Sequence, residues 1–162
     1  MSNAVDELLL DGSEAVSALS LVLANISLLV PLSAVAEVAN NDMAITPLEN
    51  PDDRFYGWIM WRDQQLPLLS FEGILGETPV PLSAQSRVVI LNAVGAAAER
   101  GFYGLVVQGY PQRVNIVDND EELISKLEDI PGVLYKVVQE EAALIPDFEY
   151  LEKLSIGIHA PA

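Results

Sequence analysis

A chain of 162 residues, 51% of them apolar, suffices for one domain, or for two small subdomains around a shared core. Its 24 acidic side chains outnumber eight basic ones and leave a net charge of −16, which argues against nucleic acid and anionic membrane surfaces as partners. It has no cysteine, so disulfides and thiolate chemistry are excluded, and the chain is expected to be cytoplasmic.

Residues 1–16 read as a loosely held arm, with Val5, Leu8 and Leu9 as its docking points. From Ala15 to Ala36 there is no charge, a length that could cross a bilayer. No Lys or Arg precedes Arg54, and Asn25 and Pro31 interrupt the run. Leu19, Leu21 and Leu23 alternate with smaller residues, and Ile26, Leu28 and Val30 resume the alternation. That period of two predicts a soluble hairpin, with strands near 17–24 and 26–31. "PLSAVAEVA" (31–39) follows as a turn of helix or a bent strand end, and "MAIT" (43–46) as a short strand.

After the turn-rich "PLENPDD", "WIMWR" (58–62) is apolar on both faces and reads as a strand buried on both. Asp63 and Gln64 are expected to make the turn into "QLPLLSF" (65–71), where Pro67 suggests an edge strand. "GETPVPLSAQ" (76–85) is the best linker. "SRVVILNAV" (86–94), "FYGLVVQG" (102–109) and "QRVNIV" (112–117) are strands, the last two read as a hairpin over Tyr110 and Pro111. In "DNDEELISKLEDIPG", Leu123, Ile124, Leu127 and Ile130 share one helical stripe behind acidic caps. "VLYKVVQ" and "AALI" form a last hairpin, and "PDFEYLEKL" (146–154) a terminal amphipathic helix. The fold class is therefore mainly β: nine or ten short strands in two groups, arguing for two small antiparallel barrels with one or two helices toward the C-terminus. The subdomains run roughly 18–75 and 86–146, with 147–162 as helix and tail.

A catalytic constellation is not visible. His159 is the only histidine and lies in a tail ending "HAPA", where nothing orients it as a base. "DNDEEL" (118–123) imitates the start of a calcium loop, but the sixth position is Leu123 and the twelfth Asp129, where glycine and glutamate are required. Helix capping explains those acids better. "GAAAERG" (95–101) lacks the Gly-Lys-Ser/Thr ending of a phosphate loop. No catalytic residue, cofactor or metal is expected. The competing reading is a small-molecule or calcium-binding barrel subunit of an enzyme, using the acidic 118–129 segment.

"ITPLEN" (45–50), Gly57, "WIMWR", Pro67 and "ILG" (74–76) resemble, in that order, the central block of the CheW family, approximately I-T-P-L-P-N followed by G-V-I-N-L-R-G and ending in Leu-Gly. The match puts Arg62 on the family's arginine, and "AVAEVA" puts Glu37 on its acidic residue. Met60 stands for the family's Asn, Asp63 for the turn glycine and Ser70 for a later Asp, which suits a divergent accessory member. Asp63 tolerates positive φ better than most residues. The acidic charge and short opening turn resemble CheW-like proteins of type IV pilus and twitching-motility chemosensory systems.

The resemblance implies two intertwined five-stranded SH3-like barrels and no catalysis. It implies an adaptor between methyl-accepting chemotaxis receptors and the regulatory domain of a CheA-like histidine kinase. Arg62 then either pairs with Glu37 as a partly shielded structural bridge or contacts a partner directly; a pair at the junction of two barrels could do both. Trp58 and Trp61 suit the core better than a binding surface, whereas Phe55 and Tyr56, in the preceding loop, suit an exposed anchor.

Overall fold

The computed structural model describes residues 15–40, 42–93, 101–117, 124–127, 129–138 and 142–157. Alternation drives the opening hairpin, in which β1 (Ala15–Val22) and β2 (Ser27–Pro31) pair antiparallel with Leu21 opposite Leu28. No helix among the described residues is long and apolar enough to cross a membrane. After β2 a single 3-10 turn, Leu32–Ala34, bends the chain into β3 (Val35–Asn40).

Next come β4 (Phe55–Trp61), β5 (Gln64–Leu69), a one-turn helix α1 (Phe71–Ile74), β6 (Arg87–Asn92) and β7 (Phe102–Val107). They are followed by β8 (Gln112–Val117), β9 (Ile124–Lys126), β10 (Val133–Val138), β11 (Ala142–Pro146) and helix α2 (Phe148–Ile156). Two sheets result. The first has six strands in the order β8-β1-β2-β11-β10-β9, and the second has five in the order β3-β6-β7-β5-β4. The first exceeds the expected five through short β9.

The chain starts in the first sheet, builds the whole second sheet, then returns to finish the first. The two sheets are thus intertwined as expected, but they do not divide at the 76–85 linker: residues 18–75 supply β1 and β2 to one sheet and β3, β4 and β5 to the other. Parallel contacts, β2 with β11 and β5 with β7, join segments distant in sequence.

Three corrections follow from this path. β7 and β8 do not form a hairpin, because the Gln108 N–H donates to Val22 O at 2.7 Å and carries the chain across to pair β8 with β1. Residues 124–126 are strand, not helix: β10 offers an open edge, and ladder pairing there outweighs a local helical period. Residues 118–123, with the calcium-like acids, lie outside the described residues, as do 1–14, 95–100 and His159. Pro67 lies on an interior strand; its missing N–H is tolerated because pairing to β7 involves Leu68 and Leu69.

Apolar side chains fill three spaces. Ala18, Leu29, Val137, Ala143 and Ile145 cluster on one face of the first sheet. Ile59, Trp61, Leu66, Leu68, Val88, Ile90 and Val106 cluster inside the second, with Ala39 of β3 against them. The largest cluster lies between the sheets, where Leu21, Leu28 and Val30 meet Leu69, Val89, Leu105 and Val107. Each such buried side chain contributes about 1.5–3 kcal/mol. Helix α2 plugs this seam with Phe148 and Leu151. Asp147 caps it by accepting from the Tyr150 N–H, and Glu149 and Lys153 favour the helix dipole from either end.

Candidate functional site

Strand β4 begins at Phe55, three residues earlier than expected. Gly57 makes this possible: it sits at φ 138° beside a register shift, and a Cβ there would lie 2.3 Å from Thr46 O. The backbone of Thr46 exchanges hydrogen bonds of 2.8 and 2.7 Å with Trp58, so the expected strand 43–46 reduces to one bridge. Beyond Gly57 alternation takes over. Ile59 and Trp61 point into the second sheet's core, while Met60 between them is 58% exposed. Trp58 is also buried, so both tryptophans are interior as expected.

The turn into β5 is Arg62–Asp63, not Asp63–Gln64, because Gln64 already pairs with Trp61. Both turn residues are left-handed, with φ 48° and 64°, the requirement of a primed two-residue hairpin turn. Arg62 is therefore a turn residue rather than a strand terminus. Its side chain is 66% exposed, instead of shielded.

Around it a three-residue cluster forms. Arg62 Nη2 donates to Glu37 Oε1 at 3.1 Å, and Trp61 Nε1 donates to Glu37 Oε2 at 3.2 Å. The Arg62 guanidinium also lies 4.4 Å from the centre of the Trp61 ring. Glu37 thus uses both oxygens, and the guanidinium is held by a carboxylate and an aromatic face. Glu37 belongs to β3 and Trp61 to β4, the two edge strands of the five-stranded sheet. No ladder joins these edges; side chains bridge them and complete the sheet's curl.

Two other expected residues behave differently. Phe55 is not an exposed anchor: it is buried in the seam core, since it starts the strand rather than preceding it. The Arg54 guanidinium, held bidentate by Asp52, lies 5.9 Å from its ring. Tyr56 is half-buried and donates its hydroxyl to Val80 O, while burial and then the Glu72 carboxylate push its pKa up to about 12.

Two contributors escaped sequence reasoning. Phe102 of β7 packs edge-on against Trp61, centroids 4.7 Å apart, and its apolar strand offered no hint of that partner. Glu72 is 1% exposed and accepts the Ala24 N–H at 3.1 Å, linking α1 to the first hairpin's turn. The Ser70 cap on Gly73 N marks the start of that helix, a signal legible in "SFEG". Among the described residues no group of three or more Asp, Glu or His could hold a metal ion.

Comparison with known proteins gives the arrangement a family. The model of the CheW-like domain matches residues 17–154. The fold is similar to the crystal structure of the scaffolding protein TtCheW from Thermoanaerobacter tengcongensis, with a TM-score of 0.66 at 20% identity, covering 84% of this chain and 86% of that one. No curated protein matches the chain by sequence. The chain belongs to the CheW-like domain family, whose members are non-catalytic scaffolds of chemotaxis signalling.

Proposed function

We propose that this protein is a cytoplasmic adaptor that couples methyl-accepting chemotaxis receptors to the regulatory domain of a histidine kinase, in a chemotaxis or twitching-motility pathway. One observation carries the reading. Arg62 projects from a hairpin turn, exposed yet fixed by Glu37 and by the face of Trp61. A guanidinium held in place presents its remaining N–H donors to a partner carboxylate with little further loss of side-chain freedom. Arginine is also among the residue types most enriched in binding hot spots. Membership of a scaffold family supports the same role.

Immobilised receptor fragment and kinase regulatory domain, each presented separately, test the reading. The wild-type chain should bind both, and Arg62→Ala should bind at least one of them more weakly. Unaltered binding by the variant would remove Arg62 from the docking surface. Failure of the wild type to bind either partner would remove the coupling role.

A further inference from the structure

Sulfur chemistry in this chain rests on three methionines, since it has no cysteine. Met43 is partly buried against the Ile59–Trp61 core. Met60 is 58% exposed, although Ile59 and Trp61 on either side are almost completely buried. It projects outward from β4 two residues before Arg62, on the strand whose end carries the Glu37–Trp61–Arg62 cluster. An exposed, flexible thioether is both an adaptable apolar contact and an open target for peroxide.

We infer that Met60 is an oxidation site on the docking face, where conversion to the sulfoxide weakens partner binding; the second half rests on the coupling role proposed above. The sulfur lone pair attacks one oxygen of hydrogen peroxide and the O–O bond breaks. The oxygen stays on sulfur, and the other oxygen leaves as water after proton transfer. Sulfur loses two electrons and the peroxide gains them. The product is polar where an apolar side chain stood. With no thiol of its own, the chain cannot reverse the step, which requires an external dithiol reductant acting through a sulfoxide reductase.

The intact chain is exposed to graded hydrogen peroxide, and the gain of one oxygen is mapped by mass spectrometry of its peptides. Met60 should convert at least about tenfold faster than Met43, following exposure. Equal rates overturn the site. The oxidised chain should keep its thermal midpoint and bind receptor fragment or kinase domain about three- to tenfold more weakly, as expected for loss of an apolar contact at an interface. Sulfoxide reductase should restore binding, and the affinity of Met60→Leu, whatever its starting value, should not change with peroxide. Undiminished binding by the oxidised chain, or a collapse of its thermal midpoint, overturns the switch. Should the reduced chain bind neither partner, the coupling role and the switch both fall, and the mapped rates alone decide whether Met60 is the oxidation site.

Discussion

Glu72 and Ala24 join the two sheets: the buried carboxylate of α1 accepts the backbone N–H of the β1–β2 turn at 3.1 Å. Its other oxygen has no hydrogen-bond partner among the described residues. Glu72→Ala should therefore lower stability by about 1–3 kcal/mol, because it orphans a part-buried N–H. Glu72→Gln keeps an acceptor while removing a buried charge, and should fall well short of that loss. Urea unfolding of both variants checks this; an equal loss in the two would show that the charge itself is needed.

The Glu37–Arg62 pair is exposed, so its coupling should be small despite its geometry. A double-mutant cycle with Glu37→Gln and Arg62→Ala is expected to give about 0.2–1 kcal/mol. Trp61 fluorescence should change in both single variants, since each removes a group touching the indole. A coupling several times larger would mean that the pair holds the sheet together rather than dressing its edge.

Close backbone approach makes two glycines irreplaceable for different reasons. A Cβ on Gly73 would lie 1.8 Å from Asp53 O, so Gly73→Ala must displace the 52–54 loop. Gly57→Ala meets both Thr46 O and a φ of 138°. Each should cost about 1–3 kcal/mol or more. Gly76→Ala has positive φ but open space around it, and should cost no more than about 1–2 kcal/mol. Thermal midpoints in that order would support the packing argument, and a Gly76 variant as weak as Gly73→Ala would defeat it.

Tyr103 is buried in the seam core and its hydroxyl has no hydrogen-bond partner among the described residues. Burial, then the nearby Glu152 carboxylate, hold the phenol well above its ordinary pKa. Tyr103→Phe removes an unsatisfied polar atom while keeping the ring. Its unfolding free energy should match the wild type or exceed it by up to about 1 kcal/mol. A clear loss of stability would reveal a bond to a water molecule or to Glu152.

Asp52 should titrate below its ordinary value of 3.8, because the Arg54 side chain bonds its carboxylate and outweighs the opposing effect of burial. A depressed acid stabilises the fold above its unfolded pKa, and that contribution is lost as pH falls through the lower folded value. An NMR titration should place Asp52 below 3.8 in the wild type and nearer the ordinary value in Arg54→Ala. An unchanged titration in the variant would deny the pair its role.

Much of this fold could be read directly from alternation. The hairpin around Asn25, the strand at 87–92 and the terminal helix bury most of the residues whose spacing marked them, whereas the strand at 58–61, expected to be buried on both faces, leaves Met60 58% exposed. What failed was long-range. Tyr110 and Pro111 signal a change of direction but not which sheet receives the next strand. Likewise, Ile124 and Leu127 fit a helical stripe until β10 supplies an edge to pair with. Phe55 reads as loop in the sequence because the glycine that lets the strand start early works through Thr46, eleven residues upstream. Glu37, on one edge strand, and Arg62, in the turn that follows the other, lie 25 residues apart, and family resemblance rather than local pattern pairs them.

The interleaved path of the chain also has a kinetic side. β1 and β2 are made first, yet their outer neighbours β8 and β11 follow only after all of the second sheet. Such distant pairing slows folding, because many residues must be brought into order before the contacts that reward it exist. On the ribosome, the opening hairpin must therefore persist with both flanks bare, a state in which strand edges invite association with other nascent chains. Release of a chain stopped after β7 should yield aggregates rather than a half-sized folded protein.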